Sequence, residues 1–286
     1  MNYQDLIDII EEIAPTEWFE EEDNSGIQIH TGKEEIDRVL VCLEVNDAVL
    51  QEAQDKGADM IITHHPLLFH PLQRITPDTP VGRYALHAIE QGIDIYSSHL
   101  AFDAAVHGNN MYLADLLRLQ NVARPEDEDE DEDEEYDFAG IEFDGDDEDD
   151  AYEYDPDEVG SIGFLPRTLN FREFQTYVER CLNLPQNYVR CVDGGRDEIC
   201  KVAFCTGAGG DYIYTAVREG CDAYITGDLK LHEAQYAKAM GLTVIDAGHY
   251  GTEKIFTENM AAQLRAKAGD ALEVIEAESN TNPYTL

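Results

Sequence analysis

A single internal repeat constrains this chain more than any other feature. The segment RVLVCLEVNDAVLQEAQDKGADMIITHHPLLF from Arg38 returns, shifted by 163 positions without a gap, as KVAFCTGAGGDYIYTAVREGCDAYITGDLKLHEA from Lys201. Val39, Cys42, Ala53, Gly57, Asp59, Ile62 and Thr63 meet Val202, Cys205, Ala216, Gly220, Asp222, Ile225 and Thr226. Further along, IYSSHLAFD ending at Asp103 matches VIDAGHYGTE ending at Glu253, which sets His99-x-x-x-Asp103 against His249-x-x-x-Glu253. So long a period means duplication, not a solenoid. Two related halves, each ending in histidine and carboxylate, predict one shared polar site between them.

Each copy reads strand, turn, helix, strand. In the first, Val39–Leu43 is the strand, Asp47 the expected N-cap, Gly57 the helix stop and Met60–Thr63 the second strand. In the second, Val202–Cys205, a helix from Asp211 to Gly220, and Ala223–Thr226 follow the same plan. An amphipathic helix is expected over residues 3–13, halted by Pro15, and others over Phe171–Leu182 and Leu231–Met240. Short apolar strands alternating with helices of this length predict an α/β fold of two related lobes with layered sheets and mainly parallel pairing. The expected division is an N-terminal lobe over 1–124, an insertion over 125–158 and a C-terminal lobe over 159–286, together one unit.

The formal charge of −42 is unevenly spread. Residues 126–158 hold 22 Asp and Glu and no Lys or Arg, so the rest of the chain carries −20. Too few apolar residues lie in that tract to offset the entropy of ordering it, which predicts a mobile, solvated loop. An acidic surface repels phosphate backbones and anionic membranes, excluding nucleic-acid binding through a basic face. The six cysteines show no C-x-x-C spacing and are expected to be structural. The N-terminal stretch lacks the basic region of a signal peptide, and no apolar run approaches the roughly 20 residues of a membrane span. A cytoplasmic protein is expected.

The chemistry lies in THHP (63–66), SHLAFD (98–103) and AGHYGTE (247–253). His64, His65, His99 and His249 each follow an apolar, strand-like run, where ligand sites of such sheets form. Imidazole nitrogen and carboxylate oxygen are donors that divalent transition metals accept, and a carboxylate can bridge two ions. Neighbouring side chains on a regular strand diverge. Adjacent His64 and His65, in a turn before Pro66, therefore favour two neighbouring ions over one. Zinc, manganese, iron, cobalt and nickel all suit such a donor set. His30, His70, His87 and His107 have no such support; His232, early in its helix, is within reach of the site. The Gly207-Ala208-Gly209-Gly210 turn between strand and helix suits a tight turn, or less well a phosphate cradle, since it lacks the G-x-G-x-x-G spacing.

At these residues the chain resembles the GTP cyclohydrolase I type 2 homologues, or Nif-three-like proteins. The matching pieces are IIEEIAP (9–15), DNSGIQI (23–29), THHPLLF (63–69), SHLAFDAAVHGNN (98–110), CTGAGGD (205–211), ITGDLKLHEA (225–234), AGHYGTE (247–253) and NPY (282–284). The resemblance implies a two-lobed α/β structure with a dinuclear metal centre at the lobe interface. The ligands it implies are His64, His65, Asp103, His249 and Glu253, with His99 as a further ligand or a base. It also implies a homohexameric ring. Some relatives carry an extra domain where the acidic tract stands here.

The leading expectation is a metal-dependent hydrolase acting on a small molecule, such as a nucleotide, another phosphate ester or a cyclic amide, with His99 or His232 shuttling protons. The rival is a non-enzymatic metal-binding or regulatory scaffold, and a weaker third is a GTP-binding module built on the glycine turn.

Overall fold

Both copies of the repeat fold into the same strand–helix–strand unit in a computed structural model that describes residues 1–18, 23–124 and 160–284. The acidic tract, expected to be a mobile loop, lies outside the described residues. The first part of the chain runs α1 (Tyr3–Ile13), β1 (Gly26–Ile29), β2 (Arg38–Cys42), α2 (Asp47–Lys56), β3 (Met60–Thr63), α3 (Pro80–Gln91), β4 (Asp94–Ser97), α4 (Leu100–Ala104), α5 (Asn109–Leu116) and β5 (Gln120–Ala123). The second runs β6 (Ser161–Leu169), α6 (Phe171–Cys181), β7 (Arg190–Val192), β8 (Ile199–Phe204), α7 (Tyr212–Arg218), β9 (Ala223–Thr226), α8 (Leu231–Met240), β10 (Thr243–Asp246), α9 (His249–Glu253), α10 (Phe256–Ala268) and β11 (Glu273–Glu276).

The repeat extends to individual hydrogen bonds. Asp59 Oδ2 accepts from the backbone N–H groups of Asp37 (3.0 Å) and Arg38 (3.1 Å), ahead of the first strand. Asp222 Oδ2 does the same for Cys200 (3.0 Å) and Lys201 (2.9 Å). Arg38 donates from Nη1 to the Lys56 carbonyl at the end of α2, and Lys201 from Nζ to the Glu219 carbonyl after α7. Both helices end at a glycine, Gly57 or Gly220, with φ of 65°, a conformation that costs glycine little. One expected detail differs: α2 is capped by Asn46, not Asp47. Asn46 is extended and accepts from Val49 N–H, whereas Asp47 is already helical and pairs with Arg83.

The strands assemble into two sheets, ordered β1-β4-β3-β2-β11 and β5-β6-β8-β9-β10-β7. Pairing is parallel along β11–β2–β3–β4 and β8–β9–β10, and antiparallel for β1–β4, β5–β6, β6–β8 and β7–β10. Side-chain alternation gives every central strand two buried faces. Val39, Val41 and Ile62 of the first sheet share one continuous core with Ala203, Tyr224 and Val244 of the second and with residues of α1, α7, α8 and α10. Leu40, Cys42, Ile61 and Ile95 face the other way, onto α2 and α3. Val202, Phe204, Ile225 and Ile245 face α6.

The sheets divide the chain differently from a cut between 1–124 and 159–286. β5 pairs with β6 in the second sheet, and β11, from the end of the chain, pairs with β2 in the first. Each half therefore closes an edge of the other's sheet. Among the described residues no helix is long and apolar enough to cross a membrane.

If Asp59 and Asp222 hold the two units closed, Asp59→Ala and Asp222→Ala should each lower the unfolding free energy by about 2 kcal/mol, from the loss of two charge-assisted bonds to backbone N–H. Urea unfolding checks this; a change within about 0.5 kcal/mol for either variant would deny the role.

Candidate metal centre

Two pairs of parallel strands, β3–β4 and β9–β10, end at one place. His64 and His65 leave β3, His99 caps α4 after β4, Asp228 follows β9, and His249 opens α9 after β10. Asp103 and Glu253 follow four residues after His99 and His249; Glu253 returns to its own histidine, one helical turn back, whereas Asp103 faces His64.

Glu253 lies at the centre. Its Oε2 is 2.9 Å from both His65 Nε2 and His249 Nε2, and its Oε1 is 3.7 Å from His64 Nε2. Asp103 Oδ2 approaches His64 Nε2 from the other side at 3.5 Å. Asp103 Oδ1 accepts from Asn109 Nδ2 (2.9 Å) and Thr206 Oγ1 (3.3 Å), which leaves Oδ2 turned inward. Three overlapping sets keep their ligand atoms within 4.8 Å of one another: His64 with Asp103 and Glu253, His65 with His249 and Glu253, and His64 with His65 and His99. The set is closed on one side and open on the other. The side chains of His64, Asp103 and Glu253 are 0%, 5% and 3% exposed, against 24% for His65 and 35% for His249.

These residues suit a metal on two counts. His64 Nδ1 is 2.9 Å from the Ser98 carbonyl, to which only an N–H can bond, so its proton is fixed there. Nε2 is then left buried, with no hydrogen-bond partner. Such an atom is costly unless something fills the space before it. The second count is Gly207, whose added Cβ would meet Glu253 Oε1 at 2.2 Å. The backbone there leaves the carboxylate its room. Outer contacts orient the other rings, as ligating imidazoles require. His249 Nδ1 donates to Asp228 Oδ2 at 3.0 Å, and His99 Nδ1 to Asp23 Oδ1 at 2.8 Å.

The carboxylates that face these imidazoles favour their protonated forms. Burial opposes charge on His64, but the Asp103 and Glu253 carboxylates outweigh it and hold the imidazole well above its usual range. Burial also opposes charge on His249, which Glu253 and Asp228 push up to about 9. Burial alone would raise the Glu253 acid, but His249 and His64 hold it well below the usual carboxylate range.

His232 is not brought to the centre. It is exposed on α8 and belongs to none of the three sets. The residue facing inward is Glu233, which bonds the Lys230 N–H and packs against Gly210. His30, His70, His87 and His107 also lie outside the sets. The glycine turn behaves as a tight turn: Gly207 N–H donates to Thr252 and Gly209 N–H to Thr226. Those amides are spent on the protein, not presented to a phosphate.

Asp228 had a signal in the sequence, since it occupies the position of the second copy that matches His65. Asp23, Asn109 and Thr206 stand in the matching pieces DNSGIQI, SHLAFDAAVHGNN and CTGAGGD, but no repeat or spacing marked a role for them individually.

A family model described as Duf34/NIF3 (NGG1p interacting factor 3) matches residues 1–283. The chain belongs to the Duf34/NIF3 family. Within it, the chain is 28% identical to the GTP cyclohydrolase 1 type 2 homolog of Bacillus subtilis, covering 100% of this chain and 99% of that one. It is 32% identical to the homolog of the same name from Nostoc, covering 84% and 82%. Its fold matches the crystal structure of a Bacillus cereus protein related to NIF3, with a TM-score of 0.82 and 22% identity over 100% of this chain and 99% of that one.

The electrostatics give a pH dependence. A raised histidine pKa stabilises the metal-free fold fully below its unfolded value and is lost as pH rises through the folded one. The metal-free NIF3 chain should therefore lose stability between pH 6.5 and about 9 as His249 deprotonates. With zinc added, proton release on binding should reverse that trend. Thermal unfolding with and without chelator across this range checks it; parallel curves would contradict it. Gly207→Ala should abolish the zinc-dependent rise in Tm.

Proposed function

We propose that this NIF3 chain is a hydrolase dependent on two divalent ions, acting on a small molecule that enters from the His65 and His249 side. The observation that carries the reading is the division of Glu253. One oxygen faces the His64 and Asp103 set, and the other faces the His65 and His249 set. A carboxylate with both oxygens committed to different donor groups is suited to bridging two ions. His64 and Asp103 would complete one position, and His65 and His249 the other.

Ions held there would lower the pKa of water and polarise the bond under attack. The open side supports catalysis over a structural role, since structural sites are closed by protein ligands and catalytic ones keep access for water and substrate. His99, beside His64 and His65, is placed to accept a proton. With −20 outside the acidic tract, an anionic substrate would depend on the ions for neutralisation. The names of the relatives direct the first choice of substrate to GTP, with phosphate esters and cyclic amides next.

Metal analysis of the full chain after loading with zinc, manganese, iron, cobalt or nickel should give about two ions per chain. Glu253→Gln should lose most of both, and Asp103→Ala should lose the ion held with His64. Hydrolysis of GTP, phosphate esters or cyclic amides should follow metal content, with the Glu253→Gln rate falling by about a hundredfold or more. Stoichiometric metal with no hydrolysis in any loaded form would instead support a metal-binding scaffold.

A further inference from the structure

The turn before β1 reaches into the centre through one residue. Asp23 is buried, with a side chain 2% exposed, and it meets the histidine at the mouth of β4. Its Oδ1 accepts from His99 Nδ1 at 2.8 Å, and its Oδ2 accepts from the Leu100 N–H at 3.1 Å and from the Ser25 hydroxyl. Ser25 Oγ in turn accepts from the His99 N–H at 3.0 Å. His99 is thus held at both its backbone and its ring by a segment that supplies none of the proposed ligands.

The chemistry of this contact is one-sided. A carboxylate that already accepts from a backbone N–H and a hydroxyl can only accept from the imidazole, so the ring proton must sit on Nδ1. Burial by itself would raise the Asp23 acid, but the His99 contact holds it below the usual range, so Asp23 stays an acceptor. The His99 ring lies 5.1 Å from that of His64 and 5.7 Å from that of His65, centre to centre, and one His99 nitrogen is within 4.8 Å of theirs. With Nδ1 committed to Asp23, Nε2 is the His99 nitrogen left to act as an acceptor. His249 follows the same pattern through Asp228, though Asp228 is 51% exposed.

We propose that Asp23 is a positioning residue for His99. It fixes the tautomer protonated at Nδ1 and so presents the Nε2 lone pair to the space that His64 and His65 face. The inference rests on the hydrolytic reading for the use made of that lone pair; the orientation itself does not.

Two-bond 1H–15N correlation of the 15N-histidine-labelled full chain tests this in metal-free and zinc-loaded forms, with His99 assigned from the signals missing in His99→Gln. The wild-type chain should show a single His99 tautomer, protonated at Nδ1, with that proton downfield and protected from exchange. In Asp23→Asn the protected proton should disappear and the ring should sample both tautomers, while the other histidine signals keep their pattern. Wild-type His99 protonated at Nε2, or a folded Asp23→Asn chain with the wild-type His99 pattern, would overturn the proposal. Should Asp23→Asn fail to fold, the wild-type spectrum decides: a protected Nδ1 proton supports the role, and a freely exchanging ring refutes it. Metal content of the same chain separates the two readings. A chain that binds none of zinc, manganese, iron, cobalt and nickel yet keeps the protected proton would refute the hydrolase and leave Asp23 its role.

Discussion

Burying a carboxylate costs several kcal/mol unless its surroundings return the loss, and Glu253, with a side chain only 3% exposed, is buried among imidazoles from both halves of the chain. His64 and His65 come from the first sheet, and His249 from the end of a strand in the second. The contact ties the sheets together at the point where their parallel strands end. It also demands space, which Gly207 provides by having no Cβ to place 2.2 Å from Oε1. Asp103, Asn109, Asn110 and Thr206 form the second tie, with the Thr206 N–H bonded to Asn110 at 2.9 Å and its hydroxyl to Asp103 at 3.3 Å.

Duplication followed by divergence accounts for a single shared donor cluster among the described residues. After β3 the sequence is Thr63-His64-His65, and after β9 the matching positions hold Thr226-Gly227-Asp228. Where His64 carries a ring, Gly227 can carry nothing: its Cβ would meet the His249 backbone nitrogen at 2.6 Å and the Gly207 carbonyl oxygen at 2.8 Å. Where His65 faces Glu253, Asp228 turns to the far nitrogen of His249. The first half supplies adjacent donors, and the second supplies the central carboxylate and a residue that orients its histidine.

Much of this was legible in the chain because repetition carries its own register. A shift of 163 positions pairs Asp59 with Asp222 and Gly57 with Gly220, and both pairs keep their bonding or backbone geometry. THHP and SHLAFD meet because β3 and β4, parallel neighbours of one sheet, finish on the same side; AGHYGTE, after β10 of the second sheet, joins them through Glu253. The exchange of β5 and β11 between sheets was hidden, because edge pairing depends on where the chain returns in space, not on composition. His232 stands outside the donor sets for a simpler reason. Its helix begins at Leu231, so the first turn sends Glu233 inward and His232 to solvent. Asp23 went unassigned because a partner 76 residues away leaves no periodicity to read.

Anomalous diffraction from crystals grown with zinc addresses the central claim most directly. Two peaks are expected astride the Glu253 carboxylate, one about 2.0–2.2 Å from His64 Nε2 and Asp103, the other at the same range from His65 and His249. Peaks confined to the surface, with His64 Nε2 bonded to protein alone, would contradict a shared centre built on Glu253.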